Sequence, residues 1–253
     1  MKVLQLPFKL LGAAALIACV SGVSQAAELK VFGSRVTKVI VGELGPQFAK
    51  ATGFTPVVTA DVAQVMKRRI DGGEPFDLAV LVDFQIDDLI KSGKLVAGSR
   101  TNIMSSGIGV AVKRGAPKPD ISTVEAFKQT LLNAKSITYL KEGASTIHLR
   151  KLFVQLGVAD AVKAKAVETE GEQVSEFVAE GKVEIGLIVT PNIMSVPGAE
   201  LVGSLPAEIN SIVMFTAGVS AQSPNQKAAS ELIKLLTSPE AKPIIKAKGN
   251  DPA

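Results

Sequence analysis

From residue 27 onward, short runs that are apolar at successive positions alternate with stretches that are apolar at every third or fourth position. This is the pattern of buried strands separated by amphipathic helices. Leu29 to Gly33 reads as a strand, Val36 to Lys50 as a helix broken or kinked at Gly45-Pro46 and ended by Gly53, and Pro56 to Ala60 as a second strand. Val62, Val65, Met66 and Ile70 share one helical face, stopped by Gly72-Gly73. Phe76 to Val82 is apolar on both faces, as strands inside a parallel sheet are. A third helix carries Ile86, Leu89 and Ile90 and closes at Gly93. The alternation predicts a doubly wound α/β unit.

Ser105 to Lys113 then leads through the Gly- and Pro-bearing stretch Arg114 to Asp120 into a second unit. Ser122 and Glu125 have the spacing of a capping box for a helix running to Leu132. Val174, Phe177 and Val178 face one side of a helix ended by Gly181, and Val183 to Val189 is another buried strand. Ile209 to Val219 is extended, and two helices follow, with Ser223-Pro224 and Ser238-Pro239 each read as a cap and a first-turn proline. There is no repeat of fixed period and no low-complexity linker.

The segment Ser136 to Gly157 concentrates the chemistry. Ile137, Thr138 and Tyr139 make a strand, and Leu149, Leu152, Phe153 and Leu156 make one face of a helix that Gly157 stops. Between them, Gly143-Ala144-Ser145-Thr146 offers Ser145 or Thr146 as a helix cap, with first-turn backbone N–H groups free to meet an anion.

The first residues read as an export signal. Lys2 and Lys9 precede an apolar run from Leu10 to Val20, and Ser24-Gln25-Ala26 provides small residues for cleavage after Ala26 or Ala27. Leu16-Ile17-Ala18-Cys19 is also a lipobox-like string that would instead leave a lipid anchor on Cys19, the lone cysteine. Either route leaves a mature fold without disulfide or thiol chemistry. Loss of Lys2 and Lys9 lowers the basic count from 28 to 26 against 24 acidic residues, so the chain is only mildly basic. With few aromatics and no basic block, nucleic acid is excluded as a partner. About 227 residues of the 253 remain, enough for one large domain or two small ones.

Four stretches carry a resemblance: LKVFGSRVTKVIVGELGPQFAKATGF, IDGGEPFDLAVLVDFQIDDLIKSGKLV, EGKVEIGLIVTPN and LIKLLTSPEAKPIIKAKG. Together they resemble the bacterial periplasmic solute-binding proteins of the molybdate-binding type, over nearly the whole mature chain. The resemblance implies a type 2 periplasmic-binding-protein fold in which each lobe is a sheet flanked by helices. Residues 27–107 with 211–253 would form one lobe and 108–210 the other, joined by two crossing strands, with a hinge-closing cleft between them. It implies a periplasmic monomer that needs no cofactor and delivers a small anion to the membrane permease of an ABC importer.

Family members that bind molybdate are known for a serine in the first loop, another in the second, and a tyrosine after the last strand of the second lobe. Aligned here without gaps, these fall on Val36, on Val62 or Ala63, and on Val189, so all three side-chain donors are missing. Ser34, Gln64 and Thr190 could substitute after a one-residue shift. Arg35 is an addition whose guanidinium fork suits a carboxylate. The expected ligand contacts are therefore Ser34, Arg35, Val62, Ala63, Gln64, Ala144, Ser145, Thr146, Gly171 and Thr190, around molybdate, tungstate or an organic carboxylate.

Other polar residues read as structural. His148, the one histidine, is a rim or packing residue, and Asp83, Asp87 and Asp88 flank a helix start where the dipole favours carboxylates. The alternative of a secreted hydrolase with Ser145 or Ser34 as nucleophile lacks a G-x-S-x-G turn and a second histidine. A cytoplasmic effector domain of a regulator is excluded by the export segment and the lack of a helix-turn-helix pattern.

Overall fold

The computed structural model describes residues 27–170 and 173–253. The expected export segment, Cys19 and Gly171 lie outside them. The chain opens with β1 (Ala27–Gly33), α1 (Arg35–Thr52), β2 (Phe54–Ala60), α2 (Ala63–Asp71), β3 (Leu78–Val82) and α3 (Asp83–Lys91). The long strand β4 (Thr101–Lys113) leads to α4 (Val124–Asn133), β5 (Ile137–Leu140), α5 (Ala144–Gln155), α6 (Ala159–Lys163), β6 (Ala166–Thr169), α7 (Val174–Ala179), β7 (Ile185–Val189), α8 (Thr190–Met194) and β8 (Ala199–Ser204). The chain returns through β9 (Ile212–Val219) to α9 (Gln226–Leu236), α10 (Ala241–Ala247) and β10 (Asp251–Pro252).

The strands run in the order β2-β1-β3-β9-β4-β7-β5-β6, with β8 and β10 also paired to β4. β1 is parallel to β2 and β3, β5 is parallel to β6 and β7, and β9 is antiparallel to both β3 and β4. Strand β4 serves both halves of the sheet. Its first part, through Gly107, pairs with β9, and from Ile108 onward it pairs with β7 and β8. Every residue of β3, β5 and β7 is buried, as the continuous apolar runs require of strands covered on both faces. Pro56 sits in the edge strand β2, where its missing N–H costs no ladder bond.

Helices cover both faces of each half. Val36, Ile40, Leu44 and Phe48 of α1 join Leu232 and Leu236 of α9 on one side of the β1–β3 half, while Met66, Ile70, Ile86 and Leu89 join Phe32 and Leu81 on the other. The second half is built on Phe127, Leu131, Leu149, Leu152 and Phe153. Among the described residues no helix is long and apolar enough to cross a membrane.

Four expectations are corrected. α1 is not broken at Gly45-Pro46; it runs unbroken through Pro46 to Thr52. Gly42, whose carbonyl the proline ring deprives of a partner, lies on the exposed face with Pro46, where water can replace that bond. The cap of α4 is Thr123, one residue beyond Ser122, and its hydroxyl accepts from Ala126 N at 3.1 Å. Pro224 and Pro239 precede their helices rather than opening them, since the N-caps are Asn225 and Glu240. Ser223 instead donates to buried Asp77 and accepts from Asn225 N at 2.9 Å, tying the loop before α9 to β3. The short elements β6, α6, α8 and β8 were not expected from periodicity.

Candidate functional site

A cavity of about 300 Å3 opens at the C-terminal ends of β1, β3, β5 and β7. The N-cap residues of α1, α2, α3, α5 and α8 are Ser34, Val62, Val82, Gly143 and Val189, and all five line it. This follows from the alternating chain, because each parallel strand hands over to its helix at the same edge of the sheet. The longer helices among them each present partly unsatisfied N–H groups and a fractional positive charge at that end, so their shared opening favours a negative guest.

The caps themselves differ. Ser34 closes α1 with its own side chain, accepting from Thr37 N at 3.3 Å. Gly33 before it must be a glycine, since a Cβ there would stand 2.8 Å from the Thr37 side chain. By contrast, Val62 and Val82 cannot cap, and α5 also lacks a side-chain cap. Neither Ser145 nor Thr146 is the cap of α5, a further correction. Both lie within its first turn, where Thr146 Oγ1 donates to Leu140 O at 2.8 Å and braces the loop to β5. The N-cap position belongs to Gly143 at φ 144°, which L side chains rarely adopt.

Of the expected contacts, Ser34, Val62, Ala63, Gln64, Ala144, Ser145 and Thr146 line the cavity. Arg35 and Thr190 are not among the lining residues. Arg35 forms an ion pair with Glu176 of α7, and Thr190 Oγ1 donates to Gly249 O at 3.1 Å. Of the positions that replace the family's donors, Val62, Ala63 and Val189 line the cavity and Val36 does not. The remaining wall is largely apolar and was not anticipated: Val80, Phe84, Leu140, Ile147, Ile188, Val213 and Phe215. Two buried polar residues, Gln85 and Asn192, complete it. Gln85 Nε2 donates to Gln64 Oε1 at 3.0 Å, whereas Gln85 Oε1 is buried without a protein partner. Only its place in the first turn of α3 could have marked Gln85 in the sequence.

Charged residues stand at one side of this opening, and among the described residues they are paired. Arg68 of α2 donates twice to Glu142, at 2.8 and 2.7 Å, and this hydrogen bonding holds the Glu142 carboxyl below its usual range. Arg150 binds Glu168 at 2.8 Å and Lys141 binds Glu170 at 3.0 Å. Burial pushes the Tyr139 hydroxyl up, aided by its hydrogen bond to Glu168, so this tyrosine is satisfied internally. His148 Nε2 meets Ile209 O at 2.8 Å. Asp87 is paired with Arg100 at 2.6 Å, and Asp83 accepts from Phe84 N at 2.7 Å.

The family model for bacterial extracellular solute-binding proteins matches residues 29–250. The chain is 33% identical over 218 residues to an aconitate isomerase from a Pseudomonas species, covering 84% of this chain and 83% of that one. It is 27% identical over 250 residues to the molybdate-binding protein ModA of Azotobacter vinelandii, 93% of each. Among solved structures, the periplasmic molybdate-binding protein of Azotobacter vinelandii superposes with a TM-score of 0.74 at 21% identity, over 88% of this chain and 98% of that one. The sulfate-binding protein SubI of Mycobacterium tuberculosis H37Rv gives 0.72 at 14% identity, over 90% and 87%. The fold is that of the type 2 periplasmic binding proteins, and the chain belongs to the family of bacterial extracellular solute-binding proteins.

Proposed function

We propose that this protein is the periplasmic substrate-binding component of an ABC importer and holds a small anion in the cavity at the head of α5. The observation that carries this reading is the meeting of five N-cap residues on one cavity. An anion seated there takes backbone N–H groups as donors without having to desolvate a mobile side chain. In this reading the β1–β3 half (27–107 with 211–253) and the β5–β7 half (108–210) are lobes that hinge on β4 and on the segment entering β9. The Arg68–Glu142 pair spans them at the mouth. The mature chain works as a monomer that docks on a membrane permease and engages no nucleic acid.

The relative named as an aconitate isomerase raises a second reading, an isomerase of small carboxylic acids. Shifting a proton between carbons needs a base, and among the described residues the one carboxylate lining the cavity is Glu142. Arg68 holds both its oxygens and lowers its pKa, which makes it a weak base. We therefore favour binding without catalysis. A thermal-shift screen against oxyanions and small carboxylates tests the reading. A ligand at about 100 times its Kd adds about 2.7 kcal/mol of stability, and a panel that moves no transition overturns it.

A further inference from the structure

We propose that the cavity is built for a small monocarboxylate with an apolar body and a hydroxyl group that meets Gln85, rather than for a bare tetrahedral oxyanion or a polycarboxylate. This rests on the anion-binding reading above and narrows it.

The first observation is the wall. Val62 and Val82 occupy N-cap positions at which a serine or threonine would both cap the helix and point a hydroxyl at an oxyanion. With Leu140, Ile188, Val213 and Phe215 they line the space with carbon. An ion that exposes oxygen on every side would be stripped of water against these groups without replacement hydrogen bonds. An apolar body is stabilised by the same contact. The volume, about 300 Å3, lies at the lower end of the range that encloses small organic ligands.

The second observation is charge. Lys141, Arg150 and Glu142 line the cavity, and each is already paired, to Glu170, Glu168 and Arg68. These pairs are solvent-exposed at the rim, and among the described residues the charge deeper in the cavity is the fractional positive charge of the helix ends, foremost the uncapped first turn of α5. That suits one carboxylate and leaves a second or third uncompensated.

The third is Gln85, 3% exposed, with one amide atom on Gln64 and the other unpartnered. Oxygen and nitrogen of the two amides can exchange places together, so the open position is either an acceptor or a donor. A hydroxyl satisfies both. A buried polar atom waiting for such a group rejects ligands that lack it.

The test is calorimetric titration of the full-length mature protein with 4-hydroxybenzoate, benzoate, 2-hydroxyisocaproate, isocaproate, citrate, molybdate and sulfate. At least one hydroxylated monocarboxylate should bind about tenfold or more tighter than its deoxy counterpart and than any of the last three. Gln85→Met should bring the hydroxylated and deoxy compounds to equal affinity, and a thermal unfolding transition as cooperative as that of the wild type certifies a folded variant. Tighter binding of citrate, molybdate or sulfate overturns this inference and leaves the anion-binding function standing. A hydroxyl preference that survives in Gln85→Met overturns the role of Gln85. If none of the seven binds while the thermal-shift screen finds another anion, this inference falls and the anion-binding function stands.

Discussion

Arg68 and Glu142 clasp each other at 2.8 and 2.7 Å although 74 residues separate them. Arg68 lies on α2, which covers the β1–β3 half of the sheet, and Glu142 lies in the loop after β5, in the other half. Both side chains are about half exposed, at 53% and 43%. The pair therefore adds little to folding, and its consequence is for opening and closing of the cavity. Glu142→Gln should raise the ligand off-rate severalfold in stopped-flow dilution while shifting Tm by no more than about 2–4 °C.

The same pair sets a pH dependence. The Glu142 carboxyl titrates below its ordinary value of 4.5 because of its hydrogen bonds to Arg68. A depressed carboxylate contributes in full above its unfolded pKa, and the contribution fades as pH falls through the folded one. The off-rate of the wild type should thus be flat from about pH 8 to about pH 5 and rise only below the ordinary carboxylate range. Glu142→Gln should reduce that acid limb to the part set by protonation of the ligand's own carboxylate.

Gly143→Ala tests the loop that aims α5. At φ 144° an alanine is strained even though its Cβ would meet nothing closer than 3.4 Å. The cost should be about 1–3 kcal/mol by urea unfolding, with weaker anion binding because the first turn of α5 is re-aimed.

Arg35→Ala should behave as a variant of stability and closure rather than of direct ligand contact. The side chain pairs with Glu176, whose Oε2 is buried without another partner, and it does not line the cavity. We expect a loss of about 1–2 kcal/mol in unfolding and, because Arg35 and Glu176 also join the two halves, a severalfold faster ligand off-rate like that of Glu142→Gln. A tenfold loss of affinity at unchanged stability would restore Arg35 as a ligand contact.

Val62→Ser should redirect the cavity. It exchanges a buried methyl pair for a cap of α2, two effects of similar size near 1 kcal/mol, so Tm should move little. The affinity ratio of molybdate to apolar monocarboxylate should rise, measured by parallel titrations.

Much of the fold was legible because long elements announced themselves. The all-apolar runs of β3 and β7 and the helical faces of α1 and α2 carry enough periodic positions to fix their type. Short, half-exposed β6 and β8 carry too few, with Val167 and Glu168 pointing outward. Caps were found to within a residue or two, as at Thr123 for Ser122, since neighbouring hydroxyls are equivalent in sequence and only φ and ψ choose between them.

Ser34, Val62, Gln64 and Ala144, expected in the loops after β1, β2 and β5, all line the cavity. Arg35 was expected beside Ser34 but does not line the cavity, because a step of one residue along a helix turns a side chain by about 100°. That was enough to send it to α7 while Ser34 stayed at the cavity. Val213 and Phe215 were invisible because they reach the cavity from β9, which follows β5 by about seventy residues and meets the site only through strand pairing with β3 and β4.

The most direct test of the central claim, an anion held at the first turn of α5 inside the cavity, is backbone amide NMR of the 15N-labelled protein titrated with the tightest anion of the thermal-shift screen. The amide signals of Ala144, Ser145 and Thr146 should shift most and saturate at the calorimetric Kd, with Gly143→Ala weakening that response. Saturating shifts confined to residues away from the cavity, with these three amides unmoved, would contradict the account.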